Sequence, residues 1–323
     1  MPIHHKLLCF FCCLFFGAGI NAGHAQTAVY ETPQISGDFV HIFNPNDSRS
    51  AEDTTWYTND HCFAKAPDGT WHAYGIIGHK PIDPWKGETR LFHASGKSLT
   101  KGGWKDNGDA LTALPGKERV LWAPFIIKKQ DTWYMFYNTG NMQPNAPEYS
   151  SWGNLCVATS NDLYTWQRHD RNPLFSDAGH ARDSYILKQN GKFYYYYTRT
   201  YSEVDQRSTV AMREGPDLLH WSGPKPVHVQ PLKNHYGGDA ESSFVIERNG
   251  IFYLFICRAN THYNRTDVYW SKDNEDFPLA NFVCQLPVHA AEVIYDAKEG
   301  WFISNTGWDK KGLYVAPLKW SRK

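Results

Sequence analysis

The stretch Arg182-Asp183-Ser184-Tyr185-Ile186-Leu187, followed after a turn by Gly191-Lys192-Phe193-Tyr194-Tyr195-Tyr196-Tyr197, decides the fold. Both halves are rich in aromatic and β-branched residues, each is too short for a helix, and an Asn-Gly pair separates them, which is the pattern of a β-hairpin. The same hairpin returns about every sixty residues. It occurs as Asp60-His61-Cys62-Phe63-Ala64-Lys65 with Gly69-Thr70-Trp71-His72-Ala73-Tyr74, and as Trp122-Ala123-Pro124-Phe125-Ile126-Ile127 with Thr132-Trp133-Tyr134-Met135-Phe136-Tyr137. After the Arg182 copy it recurs as Glu241-Ser242-Ser243-Phe244-Val245-Ile246 with Gly250-Ile251-Phe252-Tyr253-Leu254-Phe255. A shortened copy runs Ala291-Glu292-Val293-Ile294-Tyr295 with Gly300-Trp301-Phe302-Ile303-Ser304.

A second half repeats as well. Leu91-Phe92-His93-Ala94-Ser95 leads to Trp104, Leu155-Cys156-Val157-Ala158-Thr159-Ser160 to Trp166, and Thr209-Val210-Ala211-Met212 to Trp221. Leu313-Tyr314-Val315-Ala316 and Trp320 close the last copy. Strand repeats of this period predict an all-β, five-bladed β-propeller with four-stranded blades around a central channel. The strand-like Phe39-Val40-His41-Ile42-Phe43 is expected to complete the ring by pairing with a terminal blade, which removes an open sheet edge.

Composition narrows the partners. Formal net charge is +0, which argues against nucleic acid or an anionic membrane surface as the main partner. Aromatic residues make up 15% of the chain, and Trp and Tyr, with an apolar face and a polar edge, suit both strands and sugar rings. Lys6, the apolar run Leu7 to Ile20 and the small-x-small triplet Gly23-His24-Ala25 predict an export signal over residues 1–25, too short to span a bilayer comfortably. The mature chain, 26–323, has no linker between copies and is expected to be one catalytic domain, periplasmic or secreted. Cys62, Cys156, Cys257 and Cys284 are far apart with no CxxC pair, so a zinc site is not expected; they are buried thiols or include one disulfide. The Asn-x-Ser/Thr patterns at Asn46 and Asn264 are short and carry little weight.

The first strand of each propeller blade lines the channel, and all five run the same way, so equivalent residues converge on one mouth. Alignment of the copies puts Asp60, Pro124 with Ala123, Asp183, Glu241 and Glu292 at nearly one height. Like charges so close raise one another's pKa and need donors or a cation to hold them. Two carboxyls facing each other across a gap are what glycoside hydrolysis requires, one protonated to assist the leaving oxygen and one ionised to activate water or to attack.

At these residues the chain resembles glycoside hydrolase family 43, a family of five-bladed propeller glycosidases, over essentially the whole mature chain. The resemblance implies Asp60 as general base, Asp183 in the Arg182-Asp183 motif as the residue that tunes and orients the acid, and Glu241 as general acid. Trp122-Ala123-Pro124 resembles the family's second blade. His289 matches a blade-five histidine near a channel cation or water, so it could bind a metal through water. The chain departs from the family's pattern where His61 and Ser184 stand in place of Pro and where Ser242-Ser243 follow Glu241, which marks a divergent member.

Around that trio, His61, His180 and His235 lie beside site segments and are candidates for substrate contact. Trp122 is a sugar-stacking platform or a blade-packing residue, and Arg258 reaches a substrate hydroxyl or forms an ion pair. Arg182, His289 and Glu292 are further candidates for binding. No cofactor is expected to be required, although converging oxygens make a calcium or sodium ion in the channel plausible. The segments Lys80–Glu88 and Asn141–Gly153 are expected to rim the mouth. The function expected is an exported hydrolase of a furanoside or xyloside, arabinofuranosidase- or xylosidase-like, inverting and exo-acting on an oligosaccharide or polysaccharide side chain. The alternatives are a retaining fructosidase-like hydrolase and a non-catalytic carbohydrate-binding propeller. Oligomeric state is left open.

Overall fold

In the computed structural model, the described residues are 30–49, 56–140, 153–177, 181–199, 207–233, 239–259 and 263–322. The expected export signal, His180, His235 and the rim segment 141–152 lie outside them. The strands form five antiparallel sheets in chain order around a channel. Blade one comprises Trp56–Lys65, Trp71–His79, Arg90–Gly96 and Lys105–Thr112. Blade two comprises Trp122–Lys129, Thr132–Thr139 and Asn154–Ser160, with the short Gln167–Arg168 and Phe175–Ser176 sharing its outer edge. Blade three comprises Arg182–Gln189, Lys192–Arg199, Arg207–Gly215 and Lys225–Lys233; blade four comprises Glu241–Arg248, Ile251–Cys257, Thr266–Ser271 and Phe282–Leu286.

Blade five takes strands from both ends of the chain. Val293–Asp296, Gly300–Asn305 and Leu313–Arg322 come from the C-terminal part. Glu31–Ile35 and Val40–Phe43 both pair with Leu313–Arg322 on its outer side. The expected closure by the Phe39–Phe43 region therefore occurs, with a second N-terminal strand added. This joins the start of the chain to its end and covers the edge of the last blade.

The aromatic runs follow from how blades pack. Phe193, Tyr194, Tyr195, Tyr196 and Tyr197 are all buried in succession, because both faces of blade three are covered by a neighbouring blade. Five apolar clusters fill the five spaces between blades. Buried tyrosine hydroxyls find partners there, as Tyr196 does by donating to the Asn274 carbonyl at 2.7 Å and Tyr195 by pairing with Ser184 Oγ at 2.6 Å. Cys62, Cys156 and Cys257 are buried and Cys284 is half-buried, and all four are thiols rather than members of a disulfide.

Each channel strand carries a two-residue bulge near its start. Pairing slips between Thr58 and His61, Trp122 and Phe125, Arg182 and Tyr185, and Glu241 and Phe244. In blades two, three and four the first bulged residue has positive φ: Ala123 at 43°, Asp183 at 63° and Ser242 at 48°. Such backbone costs about 1–3 kcal/mol at a non-glycine residue and persists where the surroundings enforce it. A bulge bends its strand and re-aims its side chains. Here it aims successive residues at the channel mouth.

Candidate active site

The bulges set the acids at three successive levels rather than one. Glu241 occupies the position just before its bulge, equivalent to Thr58, Trp122 and Arg182. Asp183 is the first residue of its bulge and Asp60 the second of its own. In blade five Ala290 has φ of 44°, the His289 carbonyl accepts from Thr306 N at 3.4 Å, and the Glu292 carbonyl accepts from Ser304 N at 3.0 Å. His289 is therefore the counterpart of Glu241, and Glu292 lies three residues beyond that level, one deeper in the channel than Asp60.

The three acids nevertheless converge. Asp60, Asp183 and Glu241 line one cavity of about 310 Å³ together with Arg182, Trp122 and Glu88. Its remaining walls include Pro84, Trp85, Tyr263 and Trp308. The segment Lys80–Glu88, expected at the mouth, thus supplies Pro84, Trp85 and Glu88 to it.

A hydrogen-bonded frame fixes the trio. Asp183 Oδ2 accepts the Ser242 backbone N–H at 2.9 Å and the Thr198 hydroxyl at 2.8 Å. The Ser242 hydroxyl donates to Asp60 Oδ1. Arg182 donates Nη2–H to Glu241 Oε1, and its Nε lies 3.7 Å from Asp183 Oδ2. Burial pushes the Asp60 carboxyl up to about 7, helped by the Asp183 charge and opposed by the Ser242 hydroxyl. Burial likewise pushes Glu241 up to about 8; Arg182 opposes the shift, and the Asp183 and Asp60 charges add to it. The carboxyl at the mouth of blade four is thus biased toward its protonated form at neutral pH, as a general acid requires.

Other expected residues fall at different depths. Trp122 is at the wall, packed edge-on against Trp85 with centroids 5.1 Å apart. His61 lies below, its Nε2 2.7 Å from Ser304 Oγ, and burial lowers its pKa to about 3. His289 is set behind the wall, stacked on Tyr263 at 5.5 Å, with Gly307 so close that a Cβ there would fall 2.5 Å from the ring. Arg258 is outside the cavity, paired with Asp267 at 3.1 Å and with Asp239 at 4.0 Å.

Beneath the site, Asp60, His61, Asp183, Ser243 and Glu292 line a void of about 20 Å³, room for a single water. His61 Nδ1 and Ser243 Oγ are buried there without a protein partner. Calcium takes six to eight oxygen ligands. Ala123, Pro124 and Ala290 make up part of the void's wall and offer no side-chain oxygen toward that number. Among the described residues no group of three His, Cys, Asp or Glu side chains is arranged to hold a metal.

Sequence reasoning passed over Trp85, Glu88, Tyr263 and Trp308. They come from connections between strands, where the repeat gives no register. Ser242 was visible only as a departure from a family pattern.

The family model of glycosyl hydrolases family 43 matches residues 85–290. That span holds Asp183, Glu241 and His289 but begins after Asp60. No curated protein matches the chain. Among solved structures, a family 117 glycoside hydrolase from the marine bacterium Zobellia galactanivorans superposes with a TM-score of 0.64 at 14% identity, covering 91% of each chain. A family 43 β-xylosidase/α-arabinofuranosidase from a compost metagenome, solved with xylotriose, has a TM-score of 0.59 and 17% identity over 89% of this chain and 94% of its own. A family 32 β-fructofuranosidase from Bombyx mori has a TM-score of 0.61 and 16% identity over 82% of this chain, which spans 60% of that protein's length. At such identities these structures speak for the five-bladed fold, whereas the family match covers well over half of the 323 residues. The chain belongs to glycosyl hydrolases family 43 and is a glycoside hydrolase.

Proposed function

We propose that this glycoside hydrolase is an exported, inverting, exo-acting enzyme that removes a neutral pentose, an arabinofuranose or a xylose, from an oligosaccharide or polysaccharide side chain. The observation that carries the reading is the meeting of Asp60 and Glu241, from blades one and four, in one cavity with Asp183 linked to the first through Ser242 and to the second through Arg182. Glu241 protonates the leaving glycosidic oxygen as the bond to the anomeric carbon breaks. Asp60 takes a proton from the water that attacks that carbon from the opposite face. Asp183, through Ser242 and Arg182, holds both in register.

The cavity supports the choice of sugar. The one guanidinium lining it among the described residues, Arg182, is engaged by Glu241 and Asp183, which leaves no cation there to hold a uronate or a sulfated ring. Its size is at the low end for small-ligand pockets, and the walls at Trp85, Tyr263 and Trp308 favour one terminal residue over a through-running chain. The similar family 43 structure named as a β-xylosidase/α-arabinofuranosidase supports a pentose. Export rests on residues 1–25; mass analysis of the mature protein should place its first residue at Gln26.

The test is hydrolysis of 4-nitrophenyl arabinofuranosides, xylosides, galactosides and fructofuranosides by the wild type, Asp60→Asn and Glu241→Gln. Turnover confined to a pentoside is expected, lost by about 10²–10⁴-fold in Asp60→Asn and by a smaller factor in Glu241→Gln, because 4-nitrophenolate leaves with little help from an acid. Undiminished turnover in either variant sinks the assignment of roles. Preference for the fructofuranoside sinks the pentose.

A further inference from the structure

Glu88 is the one carboxyl in the cavity that the acid–base scheme leaves unused. It stands just beyond the short helix Pro84–Gly87, before the third strand of blade one, and owes nothing to the bulges that place the trio. It is 1% exposed. Its Oε1 accepts the Tyr57 hydroxyl at 3.2 Å and the Trp308 indole N–H at 3.1 Å, and its carbonyl accepts Leu121 N at 2.9 Å. No basic side chain among the described residues pairs with it. Burying a carboxyl without a cation is costly, and an apolar side chain would fill a purely structural position at less cost.

We propose that Glu88 selects the sugar: its carboxyl, pinned at the cavity wall by Tyr57 and Trp308, hydrogen-bonds one hydroxyl of the glycone. The indoles of Trp122 and Trp308 offer apolar faces to ring C–H groups, and a fixed carboxyl beside them offers the polar contact that sets orientation. Burial, with the Asp60 charge adding to it, pushes Glu88 up to about 8. A protonated carboxyl both donates and accepts, which suits a hydroxyl, and it adds no second negative charge beside Asp60. This assignment rests on the pentosidase reading above.

The experiment measures kcat/KM for 4-nitrophenyl α-L-arabinofuranoside, 4-nitrophenyl β-D-xyloside and the monodeoxy analogues of each, with wild type, Glu88→Gln and Glu88→Ala. The wild type should discriminate against one deoxy analogue by about 10–100-fold, Glu88→Ala by less than about 3-fold, and Glu88→Gln in between. Thermal stability is followed in parallel, and if Glu88→Ala does not fold, the near-isosteric Glu88→Gln alone must still narrow the discrimination. Parent and deoxy substrates falling by the same factor in the variants would overturn the proposal while leaving the pentosidase reading intact. A wild type that turns over neither parent glycoside overturns that reading, and this assignment with it.

Discussion

The Ser242 hydroxyl hydrogen-bonds Asp60 Oδ1 across the channel mouth, joining blade four to blade one. The same residue gives its backbone N–H to Asp183 of blade three. A single serine, placed by a positive-φ bulge directly after Glu241, thus ties together the two carboxyls that flank the acid. Ser242 is one of the positions at which the sequence departs from the pattern it resembles, so this link belongs to the chain's divergence.

Removing that hydroxyl should shift the activity profile without unfolding the protein. Alanine stands at the equivalent bulge position in blades two and five, as Ala123 and Ala290, so the backbone tolerates it. The Ser242 hydroxyl stabilises ionised Asp60. In Ser242→Ala the Asp60 carboxyl rises further, and the acid limb of kcat/KM, set by deprotonation of the base, moves to higher pH. Activity at pH 6 should fall several-fold more than activity at pH 8. Equal losses at both pH values would show that the hydroxyl does not tune Asp60.

Asp183→Asn tests the positioning role differently. The Asp183 charge raises both Asp60 and Glu241, so its removal should move both limbs of the pH profile toward acid. Arg182 also loses one of its two carboxylate partners, which loosens its hold on Glu241. The expected result is a kcat lower by roughly 10–100-fold with KM changed by less than about threefold, the mark of a contact that matters in the transition state. A rise in KM at constant kcat would instead make Asp183 a binding residue.

Neutralising the base should stabilise the protein. Asp60 moves from 3.8 to about 7 on folding, so the folded state holds its proton more tightly than the unfolded state does. Stability from this group is fully present below about pH 4 and is lost as pH rises to about 7. Asp60→Asn keeps an oxygen to accept from Ser242 and escapes the loss. The ceiling is about 4 kcal/mol, at about 1.4 kcal/mol per pKa unit. Its melting temperature should match the wild type near pH 4 and exceed it by on the order of 5 °C at pH 8. A difference that does not grow with pH would place the cost elsewhere.

The ring was legible because blade packing demands it: strands covered on both faces, such as Phe193–Tyr197, leave an unmistakable aromatic run. The acids were legible because they head those strands. Their exact levels were not, since a two-residue bulge changes register without changing residue spacing, and so Glu292 aligned with Glu241 although His289 is the counterpart of Glu241 and Glu292 lies three residues further along. His61 was placed near substrate by its proximity to Asp60, yet it turns down to Ser304. Trp308 and Glu88 meet across 220 residues, from connections that share no repeat, and only the folded ring brings them together.

The stereochemical outcome decides between the two hydrolytic geometries. An inverting pair leaves about 6.5–9.5 Å between carboxyls for a water, whereas a retaining pair stands about 5–5.5 Å apart. With Asp60 as base rather than nucleophile, the first sugar released must carry the opposite anomeric configuration to the substrate. Proton NMR of the hydrolysis of an aryl pentoside, followed before mutarotation, reads this directly. Glu241→Gln should still hydrolyse a 2,4-dinitrophenyl pentoside, whose leaving group needs no proton, while losing about 10²–10⁴-fold on an alkyl pentoside. Asp60→Asn should fail on both, because no leaving group replaces the base. Retention of configuration, or a glycosyl adduct on Asp60 detected by mass spectrometry, would make Asp60 a nucleophile and the enzyme a retaining one.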